Sequence, residues 1–253
     1  MTASTLYTER FFSGHRDGSR SSAEAILAPI IQAVQPTSVV DVGCGVGTWL
    51  SAALAAGVED VLGLDGAWVR PDWLEIPVER FQIANLRQAL GIGRRFDLAL
   101  CMEVGEHVPT ERSAGLVRDL VGLAPVVLFS AAIPGQGGTG HVNEQWSDFW
   151  AELFAGYGYE CVDAIRWQHW SDERVLFWYA QNAFLYVAKD RAPLDLQAPD
   201  GLPLRVVHPD LLARRLDPRF VPWRLAVHAL GWRARGAARR ANERLKAIGS
   251  RPE

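Results

Sequence analysis

Val39-Val40-Asp41-Val42-Gly43-Cys44-Gly45-Val46-Gly47-Thr48-Trp49 is the stretch that decides the fold. It opens as an apolar, β-branched run, the pattern of a buried strand, and passes through Asp41 into three alternating glycines. A helix is expected from about Trp49. Gly43, Gly45 and Gly47 carry no Cβ, so the backbone there can press against a ligand. About twenty residues on, Val61-Leu62-Gly63-Leu64-Asp65 reads as a second apolar strand ending in a carboxylate. In an open α/β sheet, a carboxylate at that strand tip is placed to accept hydrogen bonds from a ribose. A nucleotide-like ligand is the leading expectation.

The glycine spacing narrows the choice. The dinucleotide fingerprint G-x-G-x-x-G, read from Gly43 and Gly45, needs its third glycine at position 48, where Thr48 stands. A phosphate loop is excluded because no G-K-[ST] follows. Downstream, strands are expected near Phe81-Gln82-Ile83, over Phe96–Met102 ending at Glu103, at Val126–Ser130, at Tyr159–Ile165 and at Asn182–Val187. Helices are expected from Ser21, where Ser21-Ser22-Ala23-Glu24 reads as a capping box, and over about 110–123 and 145–157. The alternation predicts an α/β, doubly wound, mostly parallel seven-stranded sheet with helices on both faces.

Asp41–Gly47, Asp65 and Phe96-Asp97-Leu98-Ala99-Leu100-Cys101-Met102-Glu103-Val104-Gly105-Glu106-His107 together resemble the class I methyltransferases, the Rossmann-like family that uses S-adenosylmethionine. The resemblance covers roughly residues 20–188. It implies that the last strand inserts antiparallel between the fifth and sixth. It also implies S-adenosylmethionine as co-substrate, with Gly43, Gly45 and Gly47 round its methionine part and Asp41 near its cationic end. Asp65 would bind the ribose, and Glu103 would sit at the strand tip beside the methionine portion. Asn85 stands where the family often has an acid near the adenine amino group; its amide still accepts a hydrogen bond, without the charge. Arg20 is either a partner for the methionine carboxylate or a plain surface arginine.

Methyl transfer to a hydroxyl needs alignment and a proton acceptor. Candidates should lie after the fourth and fifth strands. His107 follows the fourth, and Gly137-Gly138-Thr139-Gly140-His141-Val142-Asn143-Glu144 follows the fifth. His141 is the preferred base, with Asn143 or Glu144 orienting acceptor or imidazole; His107 competes with it. Glu144 can equally cap the helix that starts near Trp146. Trp146, Phe149 and Trp150 join Trp167, Trp170 and Trp178 in a concentration of indoles suited to sugar faces, flat substrates or the core alike, and His169 cannot be placed from sequence. No carboxylate cluster of the magnesium-dependent kind is present, so no metal is expected. The favoured function is O-methylation of a small-molecule hydroxyl, on a sugar or natural-product scaffold. The alternative is a non-catalytic Rossmann-like partner subunit.

The 253 residues suffice for one α/β domain with additions. A net charge of −3 gives no general reason to invoke nucleic acid. Cys44, Cys101 and Cys161 lack framework spacing, which fits a reducing cytoplasm. The first twenty residues have no apolar signal core, and no run approaches the roughly twenty apolar residues that span a bilayer. Four segments are expected: a flap over 1–20 bearing Tyr7, Phe11 and Phe12, the cofactor-binding domain over 21–188, a proline-rich connector over 189–210, and a basic helical extension over 211–253. Arginines from Arg214 to Arg244 make that extension a solvated helix, a membrane-surface contact or a protein-docking element. Self-association is equally open.

Overall fold

The computed structural model describes residues 16–217 apart from 197 and 200. The flap aromatics Tyr7, Phe11 and Phe12, and the arginine-rich helix expected over 222–248, lie outside the described residues. The chain divides into two compact units, Met1–His208 and Pro209–Glu253. In the second, the described secondary structure is a helix at Pro209–Leu216.

The first unit holds a seven-stranded sheet: β1 (Ser38–Val42), β2 (Asp60–Asp65), β3 (Phe81–Ile83), β4 (Leu98–Met102), β5 (Val126–Ser130), β6 (Tyr159–Val162) and β7 (Phe184–Ala188). Their order is β3-β2-β1-β4-β5-β7-β6. All pairs are parallel except those of β7, which runs antiparallel to both β5 and β6. The expected insertion of the last strand is what the structure shows. Burial on both faces explains why the central strands are legible as apolar runs: every residue of β4, β5 and β7 is buried.

Alternation splits each strand between two cores. Leu98 and Leu100 of β4 face one side with Ile26, Leu27 and Ile30 of α1 (Arg16–Val34) and Trp49 and Leu50 of α2 (Thr48–Ala55). Ala99 and Cys101 face the other side with Leu116, Val117 and Leu120 of α3 (Ser113–Leu123) and Trp150 and Phe154 of α4 (Ser147–Ala155). The 116, 117, 120, 123 spacing on α3 is one helical stripe, and all four residues are buried.

Three expected boundaries move. The first helix begins at Arg16, so Ser21-Ser22-Ala23-Glu24 lies inside it rather than at its start. Ser22 is fully buried; its hydroxyl donates to the Gly18 carbonyl at 2.7 Å and accepts from the Leu176 N–H at 2.9 Å. The sixth strand stops at Val162 instead of reaching Ile165, and α5 (Ala164–His169) follows. Arg166 turns back onto Asp163, with Nε donating to Oδ1 at 2.9 Å, and this buried i,i+3 pair favours a helical turn. Likewise α6 (Phe177–Asn182) takes the residue expected to open the last strand.

Phe154 tests the packing. Its ring is fully buried and stacks on Tyr186 of β7, centroids 3.8 Å apart. Phe154→Ala is expected to destabilise the domain by about 3–5 kcal/mol in urea denaturation. A loss under ~1 kcal/mol would show that the outer core does not need this contact.

Candidate active site

The parallel strands β1, β2, β4 and β5 all end on one edge of the sheet, and the residues singled out from the sequence gather there. The loop after β1 is tied to the tip of β2. Gly43 and Cys44 both donate backbone N–H groups to the Leu64 carbonyl, at 2.7 and 3.2 Å. Asp65 takes the Gly45 N–H on Oδ2 at 2.7 Å and the Gly66 N–H on Oδ1 at 2.6 Å. Only glycine suits the turn at two points. Gly43 has φ +85°, and a Cβ there would lie 2.3 Å from Val104 Cγ2. Gly47 has φ +88°, and its Cβ would meet Ile76 at 2.9 Å. Gly45 shares the positive φ, at +55°.

Asp41 lies beneath this loop, 1% exposed, and its Oδ1 has no hydrogen-bond partner among the described residues. Burial first, and then the neighbouring Asp65, pushes its carboxyl up to about 7. Asp65 is raised to about 6 by burial, against the pull of its Gly66 and Gly45 hydrogen bonds. An acidic pair of this kind suits a ligand that brings positive charge and hydroxyl donors. Arg20, on α1, donates to Glu75 at 2.6 Å, and the Glu75 N–H is held by the Val46 carbonyl, which puts the guanidinium beside the same loop. Asn85 is exposed just beyond β3, its Oδ1 accepting the Arg87 N–H at 3.1 Å.

At the tip of β4, Glu103 adopts φ +55°, sparsely populated for a residue with a side chain. Its N–H is held by the Ser130 carbonyl and hydroxyl, at 3.0 and 2.9 Å. Its carboxyl accepts from Gln136 at 3.1 Å and Asn182 at 3.2 Å, and burial raises it. Glu106, which the sequence reading quotes within the fourth-strand motif but does not select, is fully buried. Its carboxyl lies against the Glu103 carboxyl and the Ala132 N–H. Burial, reinforced by Glu103, raises its carboxyl well above the ordinary range.

His107 and His141 meet edge to face, centroids 5.0 Å apart at 87°. Burial and the facing His141 push His107 down to about 4, so its imidazole is neutral at pH 7. Its Nδ1 lies 3.4 Å from the Gly140 carbonyl. His141 Nδ1 lies 2.9 Å from Glu144 Oε1. Glu144 is itself held by the N–H groups of Gly137, at 2.5 Å, and Gly135, at 2.8 Å. It therefore braces the imidazole; the helix starting at Ser147 has no side-chain cap, so the capping alternative is not what this glutamate does.

Asn143 is 2% exposed and fully engaged. Its amide donates to the Gly105 carbonyl at 3.1 Å and Ser113 Oγ at 2.9 Å, and accepts from Thr110 at 2.8 Å and Gln145 at 3.0 Å. These bonds pin the loop after β5 to the turn after β4. Trp150 lies under that turn: a Cβ on Gly105 would approach its ring to 2.8 Å. His169 lines a surface cleft with Ser21, Glu24 and Arg174, its Nδ1 3.2 Å from Asp172. Gln136 and Asn182, which hold Glu103, carry no signal in the sequence because their partner comes from a distant segment.

The raised carboxyls of Asp41 and Asp65 set a pH dependence. Their ordinary value is 3.8, so the folded chain holds these protons more tightly than the unfolded chain. The stability they contribute is complete below pH 3.8 and is lost as pH rises through about 6 to 7. Asp41→Asn should therefore melt with the parent near pH 4 and a few degrees above it at pH 8. Melting curves that stay parallel across this range would contradict the assignment.

Residues 20–124 match the family described as a methyltransferase domain. No curated protein matches the sequence. Among solved structures, the chain is similar to a sugar N-methyltransferase of Streptoalloteichus, at 16% identity and a TM-score of 0.56, over 72% of this chain and 93% of that one. An amino pentose methyltransferase of Micromonospora echinaspora aligns at 18% identity and a TM-score of 0.52, over 73% and 98%. Magnesium protoporphyrin IX methyltransferase of Synechocystis, solved with S-adenosylhomocysteine, aligns at 18% and 0.51, over 70% and 88%. Likeness at such identities carries the fold. Joined to the sheet order and the glycine loop over Asp41, it gives this chain the Rossmann-like fold of the class I S-adenosylmethionine-dependent methyltransferases, with residues 20–124 matching a methyltransferase domain.

Proposed function

We propose that this protein transfers a methyl group from S-adenosylmethionine to a hydroxyl of a small molecule, a sugar or a natural-product scaffold. The observation that carries the reading is the braced imidazole: His141 against Glu144, facing His107, on the edge where the Asp41 loop lies. An amine acceptor attacks without an added base, whereas a hydroxyl gains from one. Sugar-modifying enzymes among the structural neighbours support a polyhydroxylated acceptor.

The residues present fit the co-substrate. Asp41 offers a buried carboxyl oxygen with no partner of its own, suited to the cationic end of the ligand. Asp65 would exchange its bond to Gly45 for the ribose hydroxyls, with Asn85 toward the adenine. Arg20 would take the methionine carboxylate on leaving Glu75, and Glu103 would border the methionine portion. S-adenosylmethionine supplies an electrophilic methyl on a positively charged sulfur, which is left as a neutral thioether. His141 accepts the acceptor's hydroxyl proton on Nε2, and Glu144 on Nδ1 stabilises the resulting imidazolium. Gly138 leaves room for this: a Cβ there would lie 2.2 Å from His141 Nε2. The free thiols Cys44, Cys101 and Cys161 suit a cytoplasmic setting, and no described helix is long and apolar enough to cross a membrane. Residues 211–253 remain the candidate contact surface for a membrane, a partner or a second copy.

S-adenosylhomocysteine should raise the melting temperature by mass action, and NAD should not. Asp65→Ala should weaken that response, and Gly45→Val should remove it by steric exclusion. Tight NAD binding with no response to S-adenosylhomocysteine would sink the reading. With a labelled methyl donor and a panel of hydroxylated sugars and phenols, His141→Ala should lower turnover about 10²–10⁴-fold while donor affinity stays near that of the parent. Full activity in His141→Ala beside a dead His107→Ala would move the base to His107.

A further inference from the structure

One carboxyl and two imidazoles converge where the loops after β4 and β5 meet. The ligand atoms of Glu106, His107 and His141 all lie within 4.8 Å of one another. We propose that these three side chains bind a divalent first-row cation, which holds the acceptor through its hydroxyl oxygen. The inference deepens the functional reading above and rests on it for the identity of the acceptor group.

Four observations carry the site. Glu106 is fully buried, and its carboxyl lies against a second buried carboxyl, Glu103, and the Ala132 N–H, with no lysine or arginine paired to it among the described residues. Two buried carboxyls side by side are costly unless a positive charge at the site compensates them. Second, the ligand atoms of Glu106 share a small volume with two imidazoles, a set of two nitrogens and one oxygen that suits manganese, cobalt, iron or zinc and leaves coordination positions open. Third, each ring already has Nδ1 directed at an outer acceptor. His141 has Glu144 at 2.9 Å and His107 has the Gly140 carbonyl at 3.4 Å. Metal-binding histidines typically have their second nitrogen held in this way, which fixes the ring and raises its basicity. Fourth, the scaffold is rigid: the Val142 and Asn143 N–H groups donate to the Glu106 carbonyl at 2.8 and 3.1 Å, tying the loop that bears His141 to the turn that bears the other two.

The geometry requires only a modest closure. Ligand bonds of about 2.1 Å set donor atoms roughly 3.4 Å apart in a tetrahedral arrangement, so the side chains would draw in by about an ångström. A cluster of this composition does not show in the sequence as a spaced metal motif, because His141 arrives from the next loop. With the cation in place, the imidazoles serve as ligands, and the cation replaces His141 as the group that draws the proton off the hydroxyl. The hydroxyl proton then leaves to solvent as the oxygen coordinates, since a divalent cation lowers the pKa of a bound oxygen acid. The oxygen's electron pair forms the new O–CH3 bond while the S–CH3 bond breaks and its pair remains on sulfur.

The test uses the full chain, stripped with a chelator and titrated with Co2+, Mn2+ and Zn2+ in the absence of any methyl donor. Saturable binding of one ion per chain is expected, with d–d absorption for Co2+ and loss of the free-ion resonance signal for Mn2+. Glu106→Gln, which keeps the shape of the side chain, and His141→Ala should abolish it. Glu144→Gln should weaken it about 10–100-fold, as an outer partner does. Retained binding of S-adenosylhomocysteine by these variants checks that they are folded, and Mn2+ should restore turnover to the stripped enzyme. No saturable binding, binding unchanged in folded Glu106→Gln and His141→Ala, or full turnover after stripping would each overturn the proposal. Base catalysis by His141 without any cation binding would leave the methyl-transfer reading standing alone. Cation binding with no response to S-adenosylhomocysteine would defeat the methyl-transfer reading and leave the metal site.

Discussion

The contact on which the site depends is the bond from the Gly45 N–H to the Asp65 carboxyl. It joins the loop leaving β1 to the tip of β2, beside two further bonds from Gly43 and Cys44 to the Leu64 carbonyl. The glycines can make these bonds because their positive φ values turn N–H groups inward where a side chain would clash. The same turn covers Asp41, so the conformation of the loop and the ionisation of the acid beneath it are set together. The raised carboxyl and the unpartnered oxygen both follow from that covering.

A second constraint is the concentration of acids on this edge. Asp41, Asp65, Glu103 and Glu106 have all lost most of their access to water, and burial raises each of them. Arg20, the candidate cation beside the loop, is bound to Glu75. Among the described residues, the edge is thus short of positive charge in its own side chains. A sulfonium, an ammonium or a divalent cation would each relieve it, and an uncharged ligand would not.

Much of the fold was legible because burial on both faces forces continuous apolar runs, and Val126–Ser130 is unmistakable for that reason. What escaped was set by contacts between distant segments. Ser21-Ser22-Ala23-Glu24 resembles a helix start, yet Ser21 sits inside the helix that begins at Arg16 and its hydroxyl donates to the distant Arg174 carbonyl. The end of β6 was missed because the Asp163–Arg166 pair outweighs the apolar pattern that continues to Ile165. At the site, His141 and Glu144 were visible as a pair three residues apart. Asn143 looked equally suited to bind a ligand, but its bonds to Gly105, Ser113 and Thr110 exist only in three dimensions. Glu106 was in plain view within the fourth-strand motif, with nothing in the sequence to show that its carboxyl is buried against that of Glu103.

The antiparallel course of β7 has a consequence for the order in which the molecule is built. Because it runs against its neighbours, its start shares an edge with their ends, and Asn182 just before it reaches Glu103 across 79 positions of sequence. A long-range closure of this kind forms late in folding. On a ribosome, the glycine loop and the strands beside it emerge well before the segment that completes their surroundings. Until β7 slots between β5 and β6, the Glu103 carboxyl lacks one of its partners, the β5 edge of the sheet stays open, and β6 is not joined to the sheet. Completion of the sheet and completion of the site are therefore one event, and an incomplete chain would be poorly folded and inactive for the same reason.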